Sequence, residues 1–373
     1  MKLKIYKILL GASALCTAIA ACSDDKDYFE PIETVVITSV TDFNVNITKA
    51  SMGDFIAIHG KGMDKKNIDS ILIDDVRVDL GETYSENDVL YLKIPVQLPQ
   101  NRTDRIYIHN RSGIFEFPFH VDAPDLKLYR MFNEYTQPGD TLTIYGDFFD
   151  LYEIAPDQAV VDFGGKEMPV ISSGNNYLTA EVPEDVQKDI RVKVKSEKYG
   201  VEAQCPGKYY DRRNILVDYD EFPSTNTTYV ITDPADEERL SGNFMRVDEN
   251  AVWSGWWYIS ESWPVGFTDD MLDHPEDYEI KCEFRSDYVL SADKLTVHCY
   301  LFWDAAPIDW TAGSLAVQNT GRWETIKLPF VVNRSATYTD NSYYKSFNLR
   351  IDAAQGYPLH FAFDNFRIVP KGD

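Results

Sequence analysis

Ser51-Met-Gly-Asp-Phe-Ile-Ala-Ile-His-Gly60 returns as Gln137-Pro-Gly-Asp-Thr-Leu-Thr-Ile-Tyr-Gly146, with both glycines, the aspartate and the isoleucine at one common offset. Gly-Asp is turn chemistry, and the residues after it alternate into a strand that closes on a second glycine. Downstream, Leu90-Tyr-Leu-Lys-Ile-Pro95 answers to Leu178-Thr-Ala-Glu-Val-Pro183, and Arg105–His109 to Ile190–Val194. Proline at the end of such a strand marks termination or an edge. Short alternating strands between turn residues predict a β-sandwich, here used twice, over residues 35–121 and 122–210. His59, His109 and His120 are scattered through this region without a constellation, and it holds no tryptophan, so both copies read as spacers.

Working outward, Pro206-Gly-Lys-Tyr-Tyr-Asp-Arg-Arg213 is a polar, turn-rich junction that sets a boundary near residue 211. Beyond it, period-two patterning predicts strands over 244–247, 252–259, 278–284, 295–303, 325–328, 347–351 and 359–368. Only Thr268–Asp273 suits a short turn of helix. Seven strands or more within residues 211–373 predict a larger sandwich of jelly-roll type. The fold class is therefore all-β, with two tandem sandwiches followed by a third.

All seven tryptophans lie in that last region: Trp253, Trp256, Trp257, Trp263, Trp303, Trp310 and Trp323. Indole has a flat apolar face and one N–H donor, which suits the C–H face and hydroxyl rim of a sugar as well as a core. Trp256 and Trp257 are adjacent, and neighbours in a strand point to opposite faces, so one of the two leaves the core. Trp263 and Trp310 sit in polar stretches that read as loops. Trp303 ends a strand on the side of Leu295, Val297, Cys299 and Leu301, which reads as the core side, yet it reaches toward the rim. Tyr300 and His298 point the other way. The expected platform is Trp256 or Trp257 with Trp263 and Trp310, joined by Trp303 and Tyr300, and Glu261, Asp309 and Arg246 are placed to read hydroxyls.

The 373 residues carry a formal charge of −24, which argues against nucleic acid and against anionic membrane surfaces as electrostatic partners. An apolar content of 44% excludes a disordered chain. Met1–Lys7 is basic, and Ile8–Ala21 is a short apolar run ending in small residues, so residues 1–21 predict a signal peptide. Cys205, Cys282 and Cys299 show no CxxC and no Cys/His ligand spacing, which predicts no zinc. Cys282 and Cys299 are either paired or buried free thiols.

Ile19-Ala-Ala-Cys22 resembles a bacterial lipobox, which implies lipidation at Cys22 and a membrane anchor without a spanning helix. The acidic Ser23–Asp27 that follows, within a tether over 22–34, resembles the surface-export signal of Bacteroidetes lipoproteins. The repeated module resembles the TIG/IPT immunoglobulin-like family, through Gly146-Asp-Phe-Phe149 in the second copy and more loosely through Gly60-Lys-Gly-Met63 in the first. Ile215–Asp220, Gly321-Arg-Trp-Glu-Thr-Ile-Lys-Leu-Pro329 and Phe361–Ile368 resemble the entry, G-x-W and closing strands of jelly-roll carbohydrate-binding modules. That resemblance implies a packing role for Trp323 and makes Asp218, Asp220 and Asp364 candidate ligands of a structural calcium.

The whole arrangement resembles the surface glycan-binding lipoproteins of Bacteroidetes polysaccharide-utilisation systems. It implies a non-catalytic protein at the outer membrane, facing outward, that captures a neutral β-glucan or hemicellulose for a nearby hydrolase and a glycan transporter, with no required cofactor. Two other readings stay open: an adhesin for a protein partner, with tryptophans as anchors, and a β-sandwich glycoside hydrolase. The alternating Glu-x-Asp-x-Glu strand of concanavalin-type glucanases is absent, as are Gly-x-Ser-x-Gly, His-Glu-x-x-His and P-loop motifs.

Overall fold

The two copies of the Gly-Asp pattern build the same local structure, hydrogen bond by hydrogen bond. The computed structural model describes residues 33–250, 255–263, 265–288, 294–302, 308–311, 321–332 and 345–373. The expected signal peptide, the expected lipidation site Cys22 and most of the expected tether, with Trp253 and Trp303, lie outside them. In the first copy, Gly53 (φ +86°) donates to Ile94 O at 3.0 Å, and Ile94 N returns to Asp54 O at 2.8 Å. In the second, Gly139 (φ +82°) donates to Val182 O at 2.9 Å, and Val182 N returns to Asp140 O at 2.9 Å. A left-handed backbone at that corner favours glycine.

The following strands, Phe55–Lys61 and Thr141–Asp147, each lie between two antiparallel neighbours. The closing glycine is required by space: a Cβ on Gly60 would stand 1.9 Å from Val36 O, and one on Gly146 2.1 Å from Lys127 O. Two residues on, Gly62 and Phe148 share a positive φ (+69° and +67°), and Met63 and Phe149 after them are fully buried. The copy that matches more loosely in sequence is therefore the less strained one, because glycine occupies the left-handed position.

The first module, through Pro95 and over Pro99–Val121, forms one compact unit; the second module and the C-terminal domain together form the other. The C-terminal domain is a sandwich of two sheets. A six-stranded sheet runs Val230–Ile231, Phe244–Asn250, Pro358–Pro370, Tyr278–Ser286, Glu324–Pro329, with Ile215–Val217 also paired to Pro358–Pro370. The entry and closing strands are thus neighbours, with Ile215 opposite Arg367. A four-stranded sheet runs Gly255–Ser262, Lys345–Ala353, Leu295–Phe302, Ile308–Thr311. Val247, Phe284 and Phe363 from one sheet meet Ile259, Val297 and Ile351 from the other in one core. Cys282 and Cys299 both face that core as free, buried thiols, one on each sheet. Thr268 caps the helix Asp269–Asp273, accepting from Met271 N at 3.2 Å.

Alternation turns Lys281, Glu283 and Arg367 to the outer side of the six-stranded sheet, where the second module covers them. Lys281 Nζ meets Glu134 Oε1 of that module at 2.5 Å, and Arg367 Nη2 meets Glu134 Oε2 at 2.6 Å. Arg367 also holds Glu283 at 3.0 and 3.1 Å, and Thr325 Oγ1 donates to Glu283 at 2.9 Å. The backbone joins in: Glu134 N donates to Thr325 Oγ1 at 2.7 Å, and Thr325 N donates to Phe132 O at 2.9 Å. All four charged side chains are almost wholly buried. Desolvating them is tolerable only because each charge is answered at hydrogen-bond distance. The second module is therefore welded to the C-terminal domain.

Candidate functional site

The four-stranded sheet presents a different outer surface, and its register can be read in rows. Trp257 and Ile259 turn inward: Ile259 is fully buried, and Trp257, half-buried, packs against the core. Tyr258, between them, points out and opens a row that crosses all four strands: Tyr258, Arg350, His298, Asp309. The row on one side is Trp256, Asp352, Thr296, Thr311. A bulge between Tyr258 and Ser260 rephases the edge strand. The row on the other side then joins Glu261, Asn348 and Tyr300.

Arg350 is the centre of this face. Its guanidinium lies 4.0 Å from the Tyr258 ring centroid and 4.3 Å from that of Tyr300, a cation between two aromatic planes. It donates to the hydroxyl of Tyr258, and to that of Tyr300 at 3.4 Å. Burial, and then the charge of Asp309, push the Tyr300 hydroxyl above its ordinary pKa, so it stays neutral near pH 7. His298 Nδ1 pairs with Asp309 Oδ1 at 2.6 Å. Tyr258, Tyr300, Arg350 and His298 are half-buried, while Asp309 and Asp352 are exposed. Asn348 is buried and donates to Ser346 Oγ at 3.1 Å, and its Oδ1 meets no partner among the described residues. Flat rings, a fixed cation, two exposed carboxylates and a spare amide acceptor make a surface suited to a polyhydroxylated ligand with apolar faces.

Of the expected platform residues, this face gathers Tyr300, Asp309 and Glu261, with Trp256 at a ladder position opposite Asp352. The Trp256 side chain lies outside what the structure describes. Trp263 is 47% exposed just past the end of its strand. Trp310 is not on the platform: it is fully buried and stacks on Phe366 with ring centroids 6.2 Å apart. Its segment, Ile308–Thr311, is a strand and not a loop, and alternation with Asp309 points the indole inward. Arg246 also lies elsewhere. It belongs to the six-stranded sheet and is committed to Asp236 (2.9 Å) and Glu238 (3.0 Å). Trp323 is buried as expected, but in a satellite cluster with Phe244 and Ala362, where its indole donates to Glu238 O at 2.6 Å. Sequence reasoning passed over Tyr258, Asn348 and Arg350. Their signal was alternation: Phe347, Leu349 and Ile351 are the core side of one strand, so Asn348, Arg350 and Asp352 are the outer side.

The candidate calcium ligands Asp218, Asp220 and Asp364 each have partners within the chain. Asp218 Oδ1 accepts from the backbone of Asp220 (3.1 Å) and Phe222 (2.7 Å), and its Oδ2 faces Arg212 at 3.3 Å. Asp220 accepts from Asn243 N at 3.0 Å. Asp364 is buried and its Oδ2 has no partner among the described residues, but the oxygens of the three do not gather within 4.8 Å.

Residues 209–370 match the family model of the surface glycan-binding protein B xyloglucan binding domain, and residues 128–209 match the IPT/TIG domain. No curated protein matches the chain. Among solved structures, the surface glycan-binding protein PbSGBP-B from Prevotella bryantii aligns with a TM-score of 0.57 at 20% identity, over 91% of this chain and 99% of that one. SGBP-B from a complex xyloglucan utilization locus in Bacteroides uniformis aligns with a TM-score of 0.51 at 17% identity, over 91% and 100%. At such identities these two alignments speak for the fold.

Proposed function

We infer, from the premise that residues 209–370 belong to the surface glycan-binding protein B xyloglucan binding family, that the chain is a non-catalytic surface protein that captures a neutral polysaccharide of the β-glucan or hemicellulose kind. The observation that carries this reading is the outer face of the four-stranded sheet, where Tyr258, Arg350 and Tyr300 stand together in adjacent rows. An extended glucan backbone lies along the rings through its C–H faces. Arg350 donates to ring or side-chain oxygens, and Asp309, Asp352 and Asn348 accept from hydroxyls. Trp263, exposed just past the end of its strand, extends the surface. Stacking on aromatic planes is worth roughly 1–3 kcal/mol per contact, so a few contacts give affinity in the micromolar range or weaker.

Lipidation at Cys22 anchors the chain in the outer membrane. Captured glycan then passes to an enzyme and a transporter at the same surface. Electrophoresis of the mature chain through gels containing xyloglucan, mixed-linkage β-glucan or an acidic polysaccharide tests the reading. Retardation by one of the two neutral glucans, abolished by Tyr258→Ala with Arg350→Ala, is the expected result. Release of reducing sugar from any of the glycans would instead make the chain a hydrolase. Absence of retardation by every glycan would leave the adhesin reading.

A further inference from the structure

We propose that Glu238, Asp287 and His360 form a divalent transition-metal site, suited to zinc, on the outer side of the six-stranded sheet. Among the described residues they are the one group of three or more potential ligands whose atoms all lie within 4.8 Å of one another. His360 Nε2 is 3.0 Å from Glu238 Oε1 and 3.1 Å from Asp287 Oδ2. Ligand atoms on a tetrahedral zinc at roughly 2.0–2.1 Å stand about 3.3 Å apart, so a small outward movement seats the ion. Three protein ligands leave the fourth position to water.

The surroundings favour an ion as well. His360 Nδ1 faces Asp248 Oδ1 at 3.1 Å. That is the arrangement in which a carboxylate orients a ligating imidazole and fixes its tautomer. Arg285 Nη2 approaches Glu238 Oε1 at 3.1 Å and Asp287 Oδ1 at 3.3 Å. A carboxylate oxygen has a second lone pair, so the guanidinium holds the ligands without displacing the metal. With a neutral imidazole the cluster has four carboxylates (Asp236, Glu238, Asp248, Asp287) against two guanidiniums (Arg246, Arg285). The difference of two negative charges is that of a divalent cation. The three ligands come from separate segments: the connection before Phe244–Asn250, the residue after Tyr278–Ser286, and the strand Pro358–Pro370. Glu238 also accepts the Trp323 indole through its carbonyl at 2.6 Å. The ion therefore pins that connection over the Phe244, Trp323 and Ala362 cluster, away from the aromatic face.

The test is a calorimetric titration of the mature chain, stripped with chelator and dialysed, with zinc chloride, and with calcium chloride as the hard-cation control. One zinc per chain at micromolar Kd or tighter is expected, with calcium far weaker. His360→Gln should raise the zinc Kd by about a hundredfold or more and remove the rise in melting temperature that zinc gives the parent. Asp287→Asn does the same by a smaller factor and serves if the histidine variant fails to fold. His120→Gln, at the histidine–aspartate pair of the first module, should change neither. Zinc binding weaker than about 1 mM in the parent, or unchanged in both ligand variants, would overturn the site. His360 would then be an imidazolium held by three carboxylates.

Discussion

The two outer faces of the C-terminal sandwich are built from strands of the same alternating kind and end in opposite states. On the six-stranded sheet the outward residues are charged, and the chain itself covers them. Lys281, Glu283 and Arg367 are 1%, 0% and 0% exposed beneath the second module. Toward the other end, Arg246, Arg285 and His360 are engaged by acids of the connecting segments. On the four-stranded sheet the outward residues are tyrosines around one arginine, with exposed aspartates beside them. One face spends its polarity on internal partners and becomes structure. The other holds flat rings and donors at the surface and is the face proposed to bind glycan. Alternation decides which residues face out; what covers them decides their use.

The largest effect should come from breaking the covered face. Arg367→Met leaves Glu134 and Glu283 buried without their shared cation, at a cost of about 3–5 kcal/mol. Calorimetry of the mature chain should show a fall in the melting midpoint of the unit that carries the C-terminal domain, while the folded protein keeps its glycan affinity. A variant that melts like its parent and loses glycan would reverse the assignment of the two faces. Trp310→Ala sharpens the same contrast from within. Emptying a fully buried indole site costs about 3–5 kcal/mol, so this tryptophan should register in stability, where a platform tryptophan would register in binding.

Next in size is the open face. Arg350→Ala removes the cation between Tyr258 and Tyr300 and one donor, and should weaken glycan binding by about 1–3 kcal/mol, roughly fivefold to 150-fold. Its melting midpoint should move little. Equal loss of stability and affinity would mean that the arginine is a prop and not a contact.

The covered face also has a pH signature. Burial pushes the Glu283 carboxyl up to about 7, against the pull of Arg367. The folded chain thus keeps a proton that the unfolded chain has lost from about pH 4.5 upward. Stability should therefore fall as pH rises from about 4.5 through 7, by at most about 1.4 kcal/mol per pH unit from this group. Glu283→Gln should flatten that part of the curve whatever it does to the baseline. An unchanged slope would show that Glu283 is ionised across the whole range.

Most of this architecture was legible in the chain, because strands and turns are written locally. The Gly-Asp corners, the closing glycines and the period-two runs over 278–284 and 359–368 each carry their own instruction. The candidate site was legible by half. Alternation required Tyr300 to oppose Cys299, and the structure has Cys299 in the core and Tyr300 beside Arg350. Trp310 went wrong because Ile308-Asp-Trp-Thr311 is a short strand in polar company, where composition hides a period of two. Arg246 went wrong for a different reason. Its partners, Asp236 and Glu238, are set by a connection whose path no local pattern fixes. The weld at Glu134 was invisible for the same reason, since its partners Lys281 and Arg367 lie far along the chain.

The smallest expected effect discriminates most finely between the faces. Asn348 sits on the open face yet is buried, between Glu261 and Tyr300, with its amide nitrogen held by Ser346 and its oxygen unanswered among the described residues. On the covered face, by contrast, Glu283 and Lys281 have every charge met from within the chain. A buried acceptor left over on a surface of rings is the feature a hydroxyl would complete. Asn348→Ala should therefore reduce glycan affinity a few-fold, under about 1.5 kcal/mol. It should also leave the free protein as stable as its parent or slightly more so, because an unsatisfied buried carbonyl is gone. Affinity unchanged alongside higher stability would make Asn348 a strained packing residue, and the site would shrink to the rings and Arg350.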